Sequence, residues 1–163
     1  MNPVDITSIV TALVHDLKDD MDDMTLAAAL SLAEKVKEKA AEMGVKAVVA
    51  VANRGGNPVL VQCMDDSYIA SFDIALKKAY TSAALKMPTC QLSNLAKPGS
   101  PLYGIQHTNA GKIVIFGGGE PLLNKQGKVI GALGVSGGSE SEDTALAAYG
   151  KEIFEKGNYE LWI

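Results

Sequence analysis

The chain has 163 residues, of which 47% are hydrophobic and 21% are charged, and its formal net charge is −4. This length suits one domain with its own core, and the composition is that of a globular protein. The negative charge argues against nucleic acid or an anionic membrane surface as a partner. No run approaches about 18 uninterrupted apolar residues, and the N-terminus lacks a signal-peptide pattern, so no membrane span or leader is expected. Two distant cysteines, Cys63 and Cys90, form no disulfide framework or zinc motif, which favours the reducing cytoplasm.

The first part of the chain predicts two helices separated by an acidic run. Apolar residues recur on one side of a helical wheel from about Val4 to Lys18, which predicts a first helix. The run from Asp19 to Asp23 follows, so residues 1–22 are interpreted as an N-terminal helical extension with an acidic linker. A second helix is predicted from about Thr25 to Met43, inside a single domain that spans residues 23–163.

The middle of the chain predicts a β-hairpin followed by helices. Two β-rich runs, KAVVAVA and PVLVQCM, flank the turn sequence NRGGN, which predicts a hairpin from about Val45 to Met64. A third helix is predicted from about Ser67 to Lys86, and the sequence TCQLSNLA predicts one more short helix.

The last part predicts three strands and a final helix. The strands are Gly111–Gly118, the segment EPLLN and Lys128–Gly137, with NKQGK as the turn between the last two. Ser139 and Glu142 fit a capping box at the start of the final helix. Because hairpins join the strands, we expect an α+β domain with an antiparallel sheet of about five strands, flanked by helices.

Glycine is concentrated late in the chain, where ten of the sixteen glycines lie between Gly104 and Gly138. No P-loop string is present, and GALGVSGG matches a dinucleotide fingerprint by spacing only. One interpretation is structural: the glycines turn hairpins, and Gly131 and Gly134 permit the close approach of another backbone. The other is functional. Gly117, Gly118 and Gly119 line a pocket where amides face a carboxylate or phosphate, with Glu120 and Pro121 completing the segment.

The two histidines are the candidate metal or proton-transfer groups. His15 lies nearly opposite the apolar stripe of the first predicted helix. It is therefore either an exposed histidine or a ligand presented across a subunit interface. His107 lies between a loop and a strand, in YGIQHTNAGK. It is either a loop residue bonded to the backbone or part of a pocket wall.

Two stretches, VAVANRGGNPVLVQCMDDSYIASFDIALKKAYTSA and GGGEPLLNKQGKVIGALGVSGGSESED, resemble the GlcG/HbpS-like family. The same family supplies the C-terminal domain of PduO-type proteins. The resemblance runs from about Met24 to Glu155, although NRGGN stands where the acidic D-G-G is commoner. It implies a profilin-like fold and homo-oligomers built from dimers, often octamers. It also implies haem binding in some members.

The resemblance extends to a functional hypothesis. The first helix is similar to the N-terminal extension of PduO-type C-terminal domains, where a histidine can bind haem iron, and His15 is the matching residue. We therefore expect a cytoplasmic accessory protein that binds haem, associated with diol or glycerol metabolism, with a corrinoid as a second candidate cofactor. The alternatives are an enzyme that acts on a small carboxylate or phosphate in the Gly117–Gly119 pocket, with His107 as acid or base, and a scaffold module.

Overall fold

The structure is a computed structural model that describes residues 22–157 together with Ile6 and Ile9. Residues 22–157 form four α-helices and four β-strands. In chain order these are α1 (Leu26–Glu42), β1 (Val48–Asn53), β2 (Pro58–Cys63), α2 (Ile69–Leu85), α3 (Thr89–Leu95), β3 (Gly119–Leu123), β4 (Val129–Ser136) and α4 (Glu140–Glu155). The predicted α+β class is confirmed.

The strands form one antiparallel sheet in the order β2-β1-β4-β3. Both predicted hairpins are present, but the sheet has four strands in the described range where about five were predicted. The predicted strand Gly111–Gly118 is not a strand, because side chains from two helices bind its amides. The Val114 amide donates to Thr81 Oγ1 at 3.0 Å, and the Gly117 amide donates to Glu140 Oε1 at 2.8 Å.

One face of the sheet carries the main core, beneath α1 and α4. The core is made of aliphatic side chains that alternate along β1 and β4 and recur at helical spacing on α1 and α4, as the two periods require. Its fully buried large residues include Leu32, Val36, Val49, Val51, Leu133 and Leu146. The α1 helix begins at the cap Thr25, whose hydroxyl accepts from the Ala28 amide at 3.2 Å.

The other face carries α2, whose backbone closely approaches β4 at Gly134. A Cβ added at Gly134 would lie 2.1 Å from the carbonyl oxygen of Ala75 on α2. Within the sheet, a Cβ at Gly131 would lie 2.6 Å from the Ala52 carbonyl oxygen of the neighbouring strand β1. The prediction that Gly131 and Gly134 permit close backbone approach is therefore confirmed, and helix-to-sheet contact explains part of the glycine density.

The final helix begins as predicted. The Glu142 amide donates to Ser139 Oγ, and the Ser139 amide donates to Glu142 Oε2 at 2.7 Å, so the capping box is complete. Within the described residues, none of the helices has the length and apolar character needed to cross a bilayer. The predicted N-terminal helix and His15 lie outside the described residues, except that Ile6 and Ile9 are helical.

Candidate functional site

The segment Gly117–Pro121 is buried and packs against three helices. A Cβ added at Gly117 would lie 2.0 Å from Thr144 Oγ1 of α4. One added at Gly118 would lie 2.6 Å from Lys78 Nζ of α2. One added at Gly119 would lie 2.7 Å from Thr89 Cγ2 of α3. Within one subunit, the protein's own atoms therefore fill the space that these glycines leave.

Two of the amides proposed for anion binding already have partners inside the protein. The Gly117 amide donates to Glu140, as described above, and the Gly119 amide donates to Thr89 Oγ1 at 2.8 Å. These bonds join the segment to α3 and α4. The glycines serve helix packing here, and the geometry gives them no free donor for a carboxylate or phosphate at these two positions.

Beneath this segment lies an ion pair between Lys78 of α2 and Asp143 of α4. The Lys78 side chain is fully buried, and its Nζ donates to Asp143 Oδ2 and to the Val135 carbonyl oxygen, each at 2.8 Å. The other carboxylate oxygen of Asp143 accepts from the Gly138 amide at 2.9 Å. Nζ also lies 5.1 Å from the centre of the Phe116 ring. This network ties α2, β4 and α4 together.

Burial controls the protonation of two groups near the segment. It lowers the pKa of the Lys78 ammonium, and the attraction of Asp143 opposes this effect in part. On the other face of β3, burial raises the pKa of the Glu120 carboxyl, against the attraction of Lys151 Nζ at 3.4 Å. Each group is thus held close to an opposite charge that offsets only part of the cost of its removal from water.

A recess of about 260 Å³ adjoins the glycine segment on the side of Phe116. Two aromatic side chains, two serines and two carboxylates contribute to its wall: Tyr68, Phe116, Ser71, Ser136, Glu140 and Asp143. Both carboxylates already accept hydrogen bonds from the backbone, and the Ser136 hydroxyl donates to Ser71 Oγ at 3.1 Å. Because these polar groups are paired, the recess favours binding of an apolar group over acid–base chemistry.

The candidate histidines lie away from this recess or outside the described residues. His107 belongs to a short 3₁₀ turn, Ile105–His107, and is exposed. It does not line the recess beside Phe116. His15 falls in residues 1–21, so its role as a haem ligand stays a prediction. No group of three or more potential metal-binding side chains occurs among the residues that the structure covers.

The sequence interpretation missed Lys78 and Asp143. Lys78 follows Ser71 and Ala75 and precedes Ser82 on one buried face of α2. The pattern that could have revealed it is a single lysine at helical spacing among small residues. Asp143 lies in the first turn of α4 beside Glu140 and Glu142. Acidic residues are common there because they stabilise a helix N-terminus, so the sequence does not distinguish Asp143 as part of a site.

The fold and the site together define an α+β domain with a four-stranded antiparallel sheet, a buried lysine–aspartate pair and a small recess whose two carboxylates accept hydrogen bonds from the backbone. A family model described as "Haem degrading protein HbpS-like" matches residues 24–152. The chain therefore belongs to the HbpS-like family, which confirms the resemblance found in the sequence.

Three similar proteins give this family context. An uncharacterized 15.0 kDa protein from the dhaT-dhaS intergenic region of Citrobacter freundii is 47% identical over 133 residues, which are 82% of this chain and 93% of that protein. The corrinoid adenosyltransferase PduO of Salmonella typhimurium is 39% identical over 110 residues, which are 68% of this chain and 32% of PduO. The structure of PduOC in complex with haem is 32% identical with a TM-score of 0.76, and the match covers 85% of this chain and 98% of PduOC.

Proposed function

We propose that this protein is a haem-binding accessory protein and that His15 is the axial ligand of the iron. The observation that carries the proposal is the similarity to PduOC, which was solved with haem and is matched over nearly its whole length. Membership of the HbpS-like family supports the same cofactor. An axial imidazole would bind the iron through one ring nitrogen and leave the other for a hydrogen-bond partner.

The apolar cavities beside the sheet are small for a haem. Two of them measure about 230 and 260 Å³, below the roughly 300–1,000 Å³ of pockets that enclose larger ligands. Two larger clefts, of about 510 and 550 Å³, are both lined by the charged side chains of Lys46 and Asp66. We therefore propose that a second subunit completes the haem site.

Exposed apolar side chains support a homo-oligomer built from dimers. Ile69 is 97% exposed and Phe72 is 49% exposed at the start of α2, beside Tyr68 at 72%. Ile6 and Ile9, near the N-terminus, are 72% and 46% exposed. Apolar groups that a subunit leaves in water are typical of protein–protein interfaces. An octamer is the largest assembly that we propose.

The biological setting is proposed from the relatives. The dhaT-dhaS context of one relative and the similarity to part of PduO are indirect support for a role beside diol or glycerol metabolism. We propose the cytoplasm as its location. A corrinoid is the second candidate ligand. We propose that the fold is profilin-like. The adenosyltransferase activity of PduO is not carried over, because the chain spans about a third of that protein.

Titration of the purified full chain with hemin tests the proposal. We expect a Soret band that saturates at a fixed haem-to-subunit ratio and is lost in His15→Ala. His107→Ala is the matched control, because it removes the other histidine of the chain, and its titration should equal that of the wild type. If both variants bind like the wild type, His15 is not the ligand. If the wild type gives no saturable spectrum, haem is not the cofactor.

A further inference from the structure

A second cavity, which we call the hairpin groove, lies on the face of the sheet that α2 only partly covers. The α2 helix runs mainly over β4, so part of β1 and β2 remains open beside it. The floor of the groove consists of the small buried residues Ala50, Ala52 and Ala79. Pro58 and Leu76 form its walls, and the volume is about 230 Å³.

The rim of the hairpin groove carries an excess positive charge. Three charged residues line it: Asp73, Lys77 and Lys112. Asp73 and Lys77 neutralise each other across one helical turn, with 2.9 Å between Oδ2 and Nζ. Lys112 Nζ lies 5.3 Å from the centre of the Tyr80 ring, and no carboxylate among the described residues lies within ion-pair distance of it. As far as the described residues go, the ammonium of Lys112 is therefore available to an anion.

Tyr80 is held in place between the hairpin and the loop that follows α3. Its ring packs on the hairpin tip, where a Cβ added at Gly56 would lie 2.9 Å from Cδ2 of the ring. Its hydroxyl accepts from Asn109 Nδ2 at 3.0 Å, which leaves the phenolic proton free to donate.

The loop that positions Asn109 is strained. Asn109 and Ala110 both have left-handed backbone conformations, with φ of 51° and 54°. A β-carbon makes this conformation costly, and such strain persists where the surroundings demand one arrangement. The arrangement here holds the Lys112 ammonium over the ring of Tyr80, and both residues line the hairpin groove.

We propose that the hairpin groove binds a small organic acid with a flat apolar body, whose carboxylate is held at the rim by Lys112 and the phenol of Tyr80. The apolar floor and walls take the body of the acid, and the few polar groups at the mouth fix its orientation, as in small-molecule pockets generally. An ammonium beside a phenol donor matches a carboxylate in charge and in hydrogen bonding. The site uses neither His15 nor haem, so it stands or falls independently of the proposed function.

The experiment uses the full chain labelled with ¹³C at the alanine methyl groups. The methyl groups of Ala50, Ala52 and Ala79 report on the groove, and those of Ala28 and Ala147 report on the core across the sheet. Benzoate is the probe, and benzamide is its uncharged control with the same ring. We expect saturable shifts at the groove methyl groups with benzoate, small shifts across the sheet, and binding of benzamide that is weaker by about fivefold.

Variants separate charge from shape. Lys112→Met should weaken the binding of benzoate by about fivefold and leave the binding of benzamide unchanged, because it removes the charge and keeps most of the length of the side chain. Lys35→Met changes the net charge equally on α1, across the sheet, and should change neither affinity. Leu76→Trp should fill the groove and abolish binding of both probes. The proposal is overturned if the groove methyl groups show no saturable shift, as they would if a second subunit covers them. It is also overturned if Lys112→Met affects both probes alike or Leu76→Trp binds as the wild type.

Discussion

The pair Lys78–Asp143 should be the most costly ionic contact to break among those that the structure describes. At the observed 2.8 Å and an effective dielectric constant of about 20, the attraction between the two charges is about 6 kcal/mol. Burial of both charges offsets much of this attraction, so the pair as a whole adds little net stability. Removal of one partner, however, leaves the other charge buried and unpaired, which costs about 3–5 kcal/mol.

Two single variants and their combination measure this effect. Asp143→Asn removes the carboxylate that pairs with the Lys78 ammonium and leaves it the Val135 carbonyl and the Phe116 ring, and Lys78→Met leaves the Asp143 carboxylate its hydrogen bond from the Gly138 amide. Each should lower the melting temperature by about 6–20 °C, at about 2–4 °C per kcal/mol for a chain of this size. The double variant buries no unpaired charge, so it should be more stable than the sum of the single effects predicts, by at least about 2 kcal/mol.

Urea unfolding of all four proteins provides the assay. Protein concentration is held constant, because subunit association contributes to the apparent stability. The reasoning is refuted if Asp143→Asn costs less than about 1 kcal/mol, or if the two single effects add in the double variant.

Two other substitutions test the packing and the electrostatics. A Cβ at Gly134 would lie 2.1 Å from the Ala75 carbonyl oxygen, whereas ordinary contact begins at 3.4 Å. Gly134→Ala must therefore move α2 by roughly 1.3 Å (3.4 − 2.1). This substitution should lower the free energy of unfolding by about 1–3 kcal/mol. Gly55→Ala is the control, because its Cβ would meet only side-chain atoms at 3.2 Å and beyond, and it should change the free energy of unfolding in urea little. Equal losses of stability in Gly134→Ala and Gly55→Ala would refute the packing argument. Burial raises the pKa of the Glu120 carboxyl above 4.5, so the native state holds this proton more tightly than the unfolded chain. The contribution of Glu120 to stability should then be lost as pH rises from 4.5 through the native pKa. Urea unfolding across this window should show that the free energy of unfolding depends on pH differently in Glu120→Gln and in the wild type. The exposed control Glu34→Gln should keep the pH dependence of the wild type. Identical pH dependence in Glu120→Gln and the wild type would contradict the assignment.

Local patterns predicted most of the elements, because the signals lie within a few residues of each other. The helix predicted from about Thr25 to Met43 is Leu26–Glu42 in the structure, and the capping box of Ser139 and Glu142 is formed. Periodicity and caps act over one or two turns, so a single sequence contains them.

The missed features depend on partners far away in the chain. The β-rich run within Gly111–Gly118 looks like a strand, but its backbone is bonded by Thr81 and Glu140, which lie about 30 residues before it and 20 after it. The same holds for the recess and the hairpin groove, whose walls come from several elements. Glycines that could admit a ligand and glycines that admit a helix look alike in sequence, since both lack a side chain.

Anomalous X-ray diffraction at the iron absorption edge, from haem-loaded crystals of the full chain, tests the central claim most directly. We predict one iron peak per haem within coordination distance of the His15 imidazole, with the porphyrin enclosed partly by a second subunit. An iron peak at His107, or haem-treated crystals without an ordered iron, would contradict the account.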